Sequence, residues 1–188
     1  MMLARGVRQG RQKGDDMPRN EAQTCRDLIE PALLAAGWQF DRQLLIGPGR
    51  VNITGEAMYD PTQSIIADYQ LRYRGIPLAI VEAKSESESA ADGMQQASRY
   101  AQRLSLRFSV ASNGTDWILT DNDTGEYEAL SRPPSPDDIF AKMGVTIDWS
   151  RWEGTFVAGY HMDQVSRKGV RPYQDIAINK TLWRFAQG

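Results

Sequence analysis

The sequence has little of the chemistry that cysteine and histidine provide. Cys25 is the only cysteine among 188 residues, so no disulfide can form within the chain and nothing points to an oxidising compartment. His161 is the only histidine, and together these two residues cannot fill a four-ligand zinc site. A Ser-His-Asp triad would have to use His161 in a region without a clear pattern, and no nucleophile elbow is present. Zinc and serine-hydrolase chemistry are therefore not expected.

The sequence also lacks long apolar runs and an excess of charge of either sign. No stretch approaches the ~20 apolar residues that span a bilayer, and no signal peptide opens the chain, which predicts a cytoplasmic protein with no membrane partner. The net charge is −2 at pH 7, so any nucleic acid would need a local basic surface or a partner that holds it. The length of 188 residues suits one full domain with a sizeable core.

The hydrophobic pattern predicts an α/β fold. A first helix is expected to begin at Asn20, with Gln23 completing a capping box, and to end at Gly37, with Pro31 kinking or dividing it. A second helix is expected from residue 90 to residue 104, and a last one begins near Pro172. Strands are expected at residues 43–46, 51–53, 65–73, 77–84, 108–111, 117–120 and 127–130.

Two charged residues stand at the end of an otherwise apolar strand. Glu82 and Lys84 are two positions apart, so a strand places both side chains on the same face. Asp68 lies on the preceding strand, which can pair with this one through a short turn. Two carboxylates brought together in this way would repel each other unless a cation lay between them. Mg²⁺ suits that position, because it prefers a few carboxylate oxygens and keeps several waters.

This arrangement predicts phosphodiester hydrolysis. A metal ion held by Asp68 and Glu82 would polarise a phosphate oxygen and lower the pKa of a bound water. Lys84 would orient that water or stabilise the charge that develops in the transition state. The alternative is that Glu82 and Lys84 form an exposed ion pair of little energetic weight. The apolar run and Asp68 bring the catalytic interpretation level with that alternative, and the three residues alone leave both open.

The same residues resemble the core of the PD-(D/E)xK nucleases. Asp68, followed on the next strand by the sequence IVEAK that contains Glu82 and Lys84, is similar to their signature, with alanine in place of the proline before Asp68. Gln96 and Tyr100 lie one helical turn apart and resemble the QxxxY motif of the subgroup related to the RecB nuclease. The resemblance implies a mixed central sheet flanked by helices. It also implies that these five residues serve catalysis with Mg²⁺, for which Mn²⁺ can substitute.

A narrower resemblance runs from about residue 20 to residue 125. Its landmarks follow the order found in the restriction (R, HsdR) subunit of type I restriction-modification enzymes. They are Asn20-Glu21, Leu28-Ile29, Gly37-Trp38, Ala67-Asp68-Tyr69, Pro77-Leu78-Ala79, Glu82-Ala83-Lys84, Gln96, Tyr100-Ala101 and Asn113-Gly114. The resemblance implies that Glu21 joins Asp68 and Glu82 as a metal ligand. The family's usual Thr-Arg pair is interrupted here by Cys25.

The C-terminal residues resemble the segment that opens the helicase motor of these subunits. Arg171-Pro172-Tyr173-Gln174 carries the likeness, which implies that Gln174 reads the adenine of ATP in the full-length subunit. The chain would then be an N-terminal piece of a larger subunit. Its expected parts are a flexible basic arm at residues 1–17, an endonuclease domain at 18–145, a connecting segment at 146–170 and the start of the motor at 171–188.

The resemblance implies the function of a type I site-specific deoxyribonuclease. Its substrate would be double-stranded DNA, cut where translocation stalls, and its partners would be the modification (M) and specificity (S) subunits. Two other interpretations stay open. One is a stand-alone nuclease of the same fold that acts in repair or phage defence. The other is a catalytically silent relative that only docks DNA or partner subunits.

Overall fold

A single mixed sheet organises the part of the chain that the computed structural model describes, which is residues 17–46, 65–146 and 181. Its six strands lie side by side in chain order. Neighbouring strands are antiparallel except for the central third and fourth, which are parallel. The strands are β1 (Gln39–Ile46), β2 (Ile65–Tyr73), β3 (Ile76–Ala83), β4 (Phe108–Ser112), β5 (Trp117–Asp121) and β6 (Tyr127–Leu130). The predicted mixed α/β architecture is confirmed.

The first helix, α1 (residues 21–35), begins at the capping box that the sequence predicts. The Asn20 side chain accepts a hydrogen bond from the Gln23 backbone N–H at 2.9 Å, and the Gln23 side chain accepts one from the Asn20 N–H at 3.0 Å. These two bonds satisfy N–H groups that have no partner within the helix. Beyond the helix, Gly37 has a φ of +92°, a conformation that favours glycine at a helix end.

The interruption expected at Pro31 takes the form of a π-helical segment. Helix α1 consists of α-helical Glu21–Thr24, π-helical Cys25–Ile29 and α-helical Glu30–Ala35. Proline has no N–H, and its ring clashes with the carbonyl group four residues earlier in a regular α-helix. The helix widens just before Pro31, where the Glu30 N–H donates to the Cys25 carbonyl group.

The crossover between the two parallel strands is helix α2. It comprises the 3₁₀ turn Ala90–Gly93 and the α-helix Met94–Arg103. A parallel pair cannot be joined by a tight hairpin, so a helical connection between β3 and β4 is required. Buried residues of α2 pack on one face of the sheet against Ile80 of β3, and they include Tyr100 and Ala101. The helix therefore begins at the end of β3 where the charged residues lie.

The opposite face of the sheet carries the larger core and a third helix, α3 (Pro136–Met143). Ile139 and Phe140 of this helix belong to the same buried cluster as Trp38 and Val81. The Trp38 indole N–H donates to the Pro134 carbonyl group at 2.7 Å, so its polar atom is satisfied on burial. Helix α3 is absent from the elements predicted by the pattern, because its eight residues give too short a periodic signal.

Several predicted elements lie outside the described residues. These are the strand at 51–53, residues 1–16 of the basic arm predicted at 1–17, and the start of the helix near Pro172. Strand β1 is longer than expected, because it begins at Gln39 rather than at Gln43. Across the described ranges, no helix combines the length and the apolar character needed to cross a bilayer.

Candidate active site

The pairing of β2 with β3 brings two carboxylates together. The antiparallel register places Tyr69 opposite Val81, so the next pair, Asp68 and Glu82, also lies face to face. Both side chains project to the face that α2 covers, since Ile80 lies on that face of β3. The predicted pairing of these strands is confirmed.

Asp68 is held by two donors. One carboxylate oxygen, Oδ2, accepts a hydrogen bond from the Ala83 backbone N–H at 2.8 Å. The other, Oδ1, accepts one from the Gln43 side-chain amide at 3.4 Å. Burial raises the pKa of Asp68 above its ordinary value, although the Ala83 N–H and the charge of Lys84 act in the opposite direction. The carboxylate is therefore oriented by the β2–β3 ladder and still costly to ionise.

Glu82 is the most constrained group of the site. Glu82 is only 3 % exposed, and its Oε1 accepts a hydrogen bond from the Lys84 ammonium group at 3.2 Å. Its Oε2 is buried and has no hydrogen-bond partner among the described residues. Burial, together with the charge of Asp68, raises the pKa of Glu82 to about 7 despite the hydrogen bond from Lys84. A buried carboxylate oxygen without a partner is unusual, and such an oxygen is a candidate ligand for a cation.

Lys84 supplies a positive charge next to the carboxylates of Asp68 and Glu82. Burial lowers the pKa of Lys84, but the hydrogen bond with Glu82 and the charges of Glu82, Glu21 and Asp68 together raise it above the ordinary value. The ammonium group therefore stays protonated at neutral pH. The Lys84 backbone N–H donates to the Ser112 carbonyl group at 2.8 Å, which fixes the residue at the end of the parallel β3–β4 pair.

Gly93 allows α2 to begin directly on these side chains. A Cβ atom at this position would lie 3.3 Å from Glu82 Cγ, 3.3 Å from Ala111 Cβ and 3.4 Å from Lys84 Cε. Each of these distances is shorter than an ordinary contact between carbon atoms. The first turn of α2 can therefore cover Glu82 closely only because residue 93 has no side chain, and this packing contributes to the burial that raises the pKa of Glu82.

The remaining predicted residues differ in what the structure shows. The Gln96 amide donates to the Tyr100 hydroxyl at 2.8 Å, so the two residues share a face of α2. Glu21 begins α1, and its negative charge raises the pKa values of Glu82 and Lys84. Gln174 lies outside the described residues. The catalytic and ATP-binding roles assigned to these residues stay predictions.

The donor set fits a hard divalent cation. Asp68 and Glu82 offer carboxylate oxygens on adjacent strands, and one oxygen of Glu82 is buried with no hydrogen-bond partner in the part of the chain that the structure describes. Within residues 17–46 and 65–146, no three His, Cys, Asp or Glu side chains are grouped closely enough to hold a metal ion by themselves. A bound cation would therefore complete its shell with water or substrate oxygens, as Mg²⁺ commonly does. The participation of Glu21 as a direct ligand stays a prediction.

Two residues of the site were not singled out from the sequence. Gln43 lies opposite Asp68 on β1 with a φ of +51°, which is uncommon for a residue other than glycine. Its contact depends on the register between β1 and β2, which the hydrophobic pattern does not give. Gly93 reads in the sequence as an ordinary glycine at a helix start, because its close contacts are made with residues of other elements.

Comparisons with known proteins point in one direction. Residues 46–128 match the family model described as the N terminus of the type I restriction enzyme R protein. The chain is 31% identical over 179 residues to the type I restriction enzyme EcoAI endonuclease subunit of Escherichia coli, and the match covers 89% of this chain. Only 22% of that subunit is covered, so the chain spans about a fifth of the curated relative.

A solved structure has the same fold. It is the fragment structure of an HsdR subunit of a type I restriction enzyme from Vibrio vulnificus YJ016, with a TM-score of 0.67 and 35% sequence identity. The match covers 92% of this chain and 34% of that chain. The similarity therefore includes the sheet that carries Asp68, Glu82 and Lys84.

Proposed function

This chain carries an N-terminal domain of the type I restriction enzyme R protein family, and we propose that it is a Mg²⁺-dependent nuclease domain that hydrolyses phosphodiester bonds of double-stranded DNA. The observation that carries the proposal is the buried Glu82 carboxylate beside the half-buried Asp68. Among the described residues, one oxygen of Glu82 has no hydrogen-bond partner, and the other accepts from a protonated lysine. An ordinary surface ion pair would not be buried in this way. The geometry therefore favours the catalytic interpretation of Glu82 and Lys84.

Each residue of the candidate active site has its own role in this proposal. Asp68 and Glu82 hold the cation, and the Ala83 N–H keeps the Asp68 carboxylate pointing at the site. Lys84 is held next to Glu82 and can donate to the attacking water or to a phosphate oxygen, where negative charge develops. The Gln96–Tyr100 pair orders the adjacent face of α2.

The cation would supply two things that the side chains lack. When bound, it would polarise a phosphate oxygen and lower the pKa of a water in its shell. Its binding would also relieve the repulsion between Asp68 and Glu82, which raises the pKa of Glu82 in its absence. Mn²⁺ has similar ligand preferences and should substitute for Mg²⁺.

The wider activity is proposed from the relatives. Since the chain spans 22% of the EcoAI endonuclease subunit, a motor elsewhere in a full-length subunit would use ATP to translocate DNA, with Gln174 reading the adenine. Modification (M) and specificity (S) subunits would select the DNA, and cleavage would follow where translocation stalls. The net charge of −2 agrees with a domain that receives DNA held by other parts of a complex. Such a complex would act in the cytoplasm.

Mn²⁺-supported nicking of supercoiled plasmid tests the proposed function. The chain should nick the plasmid, and Asp68→Asn should reduce the rate at least about 100-fold, because a metal-centred stabilisation of several kcal/mol is lost. Asp123→Asn is a matched control, since this carboxylate is 71% exposed and pairs with Arg107 at the opposite end of β4. It should nick at the parent rate. Equal nicking by Asp68→Asn and by the parent chain would contradict the proposal.

A further inference from the structure

The exposed face of α2 carries a short strip of arginine and glutamine. The positions that neighbour Arg99 on the helix surface, three and four residues away, are Gln95, Gln96, Gln102 and Arg103. Arg99, Arg103, Gln95 and Gln102 are all exposed. The helix Met94–Arg103 contains no acidic residue, and the nearest acid before it is Asp92 in the preceding turn. This face therefore presents hydrogen-bond donors and positive charge, and the helix itself supplies no carboxylate to it.

Among the described residues, Arg99 differs from most arginines in having no carboxylate partner. Within residues 17–46 and 65–146, the contact that the structure gives it is with the ring of Tyr100, whose centroid lies 5.7 Å from the guanidinium carbon. This contact holds the side chain beside the helix without neutralising its charge. Arginines that do pair with a carboxylate are Arg19, Arg26, Arg42, Arg72, Arg107 and Arg132. The fold thus neutralises many of its arginines and leaves Arg99 available for an anion.

The strip leads away from the candidate active site. Gly93, at the start of α2, lies against Glu82 and Lys84. With a helical rise of about 1.5 Å per residue, Arg99 lies about 9 Å and Arg103 about 15 Å further along the helix axis. A nucleic-acid strand that enters the site beside Lys84 and follows α2 would bring successive phosphates past both arginines. Arginine and glutamine side chains are common donors to phosphate oxygens in such contacts.

We propose that this strip, formed by Gln95, Arg99, Gln102 and Arg103, binds the phosphate backbone of double-stranded DNA on one side of the bond that is cut. The proposal rests on the proposed nuclease function for its substrate, but it concerns binding and can be tested without cleavage. It supplies the local basic surface that a chain of net charge −2 needs in order to hold DNA. Each arginine would neutralise one phosphate and release its condensed counterions.

The test is the salt dependence of DNA binding in a chelating buffer, where no divalent cation supports cleavage. Fluorescence anisotropy of a labelled duplex, measured over about 50–200 mM salt, gives the slope of log K against log salt concentration. Arg99→Gln with Arg103→Gln should reduce the magnitude of that slope by about 1.8, because each lost phosphate contact removes about 0.9. Binding at the lowest salt should weaken at least about tenfold.

Two further variants separate a specific contact from a loss of charge or of folding. Arg132→Gln with Lys142→Gln removes the same two charges from the side of the sheet that carries α3, and its slope should match that of the parent chain. Arg99→Lys with Arg103→Lys keeps the charge and should restore most of the slope. Thermal unfolding should be alike for the parent chain and the two variants of Arg99 and Arg103, because the strip is exposed.

Three results would overturn the proposal. One is an unchanged slope in the Arg99→Gln/Arg103→Gln variant. Another is an equal loss in the Arg132→Gln/Lys142→Gln control. The third is the absence of measurable duplex binding by the parent chain at the lowest salt. None of these results bears on the nicking comparison with Asp68→Asn. The DNA-binding proposal can therefore be wrong while the nuclease proposal is right, and the nuclease proposal can be wrong while the DNA-binding proposal is right.

Discussion

Glu82→Gln is expected to abolish nicking by this chain and, in metal-free buffer, to make the folded domain more stable at alkaline pH. The loss of nicking should be at least about 1,000-fold, because the variant removes a proposed cation ligand and the charged partner of Lys84. The gain in stability has a separate cause. Burial and the charge of Asp68 raise the pKa of Glu82 from 4.5 to about 7, so the ionised form is unfavourable in the folded state.

The sign of the pH dependence follows from this raised pKa. A group that binds its proton more tightly when folded stabilises the protein fully below its unfolded pKa, near 4.5, and loses that contribution as pH rises through about 7. One pKa unit corresponds to about 1.4 kcal/mol, so the loss between these limits is on the order of 3 kcal/mol. Glutamine cannot ionise. The Glu82→Gln variant should therefore lack most of this decline and exceed the parent chain in stability above about pH 7.

Thermal or urea unfolding in a chelating buffer across this pH window measures the effect. Glu128→Gln is the matched control, because Glu128 is a half-exposed partner of Lys142 on the edge strand β6. It should keep the pH dependence of the parent chain and its nicking activity. Nicking by Glu82→Gln at the parent rate would contradict the proposed ligand role of Glu82. Lower stability than the parent chain at about pH 8 would contradict the unfavourable ionisation of Glu82 in the folded state.

Lys84→Met is expected to destabilise the metal-free domain and to remove nicking. Without the ammonium group, Glu82 loses the hydrogen bond to its Oε1 and remains buried beside Asp68. Removing one partner of a buried pair costs about 3–5 kcal/mol when the remaining charge stays unpaired. The cost should be largest at alkaline pH and smaller in acid, where Glu82 takes up a proton. Nicking should fall at least about 100-fold, because the donor to the developing negative charge is gone.

The double variant Glu82→Gln/Lys84→Met separates these two effects. It leaves residue 82 without a charge, so its stability should recover toward that of the parent chain, whereas nicking should remain absent. Lys142→Met is the matched control, because it removes an exposed lysine from a surface ion pair and should cost no more than about 1 kcal/mol. If Lys84→Met is as stable as this control at alkaline pH, the pair does not have the buried character assigned to it.

The sequence predicted those features that depend on local patterns. The capping box at Asn20 is a contact within four residues, and the uninterrupted burial of β3 follows from its apolar run. The candidate active site was located from the charges of Glu82 and Lys84 at the end of that apolar run. Asp68 could be added because only a short turn separates β2 from β3, so the pairing partner was nearly determined.

Features that depend on long-range packing were not predicted. Gly93 acquires its role only when the start of α2 packs against Glu82, and Gln43 reaches Asp68 only through the register of β1 with β2. The π-helical form of the break before Pro31 was also open, since a proline predicts an interruption but not its geometry. Helix α3 was missed because a short helix has few periodic positions, although Ser135 and Asp138 form its capping box.

Calorimetric titration of Mn²⁺ into the chain at about pH 8, beside Asp68→Asn and Glu82→Gln, tests most directly whether the two carboxylates form a cation site. The parent chain should bind Mn²⁺, with an affinity that weakens as pH falls below about 7 because protons compete for Glu82. Both variants should lose this binding. No Mn²⁺ binding by the parent chain, or binding that both variants retain unchanged, would contradict the assignment of Asp68 and Glu82 as a nuclease metal site.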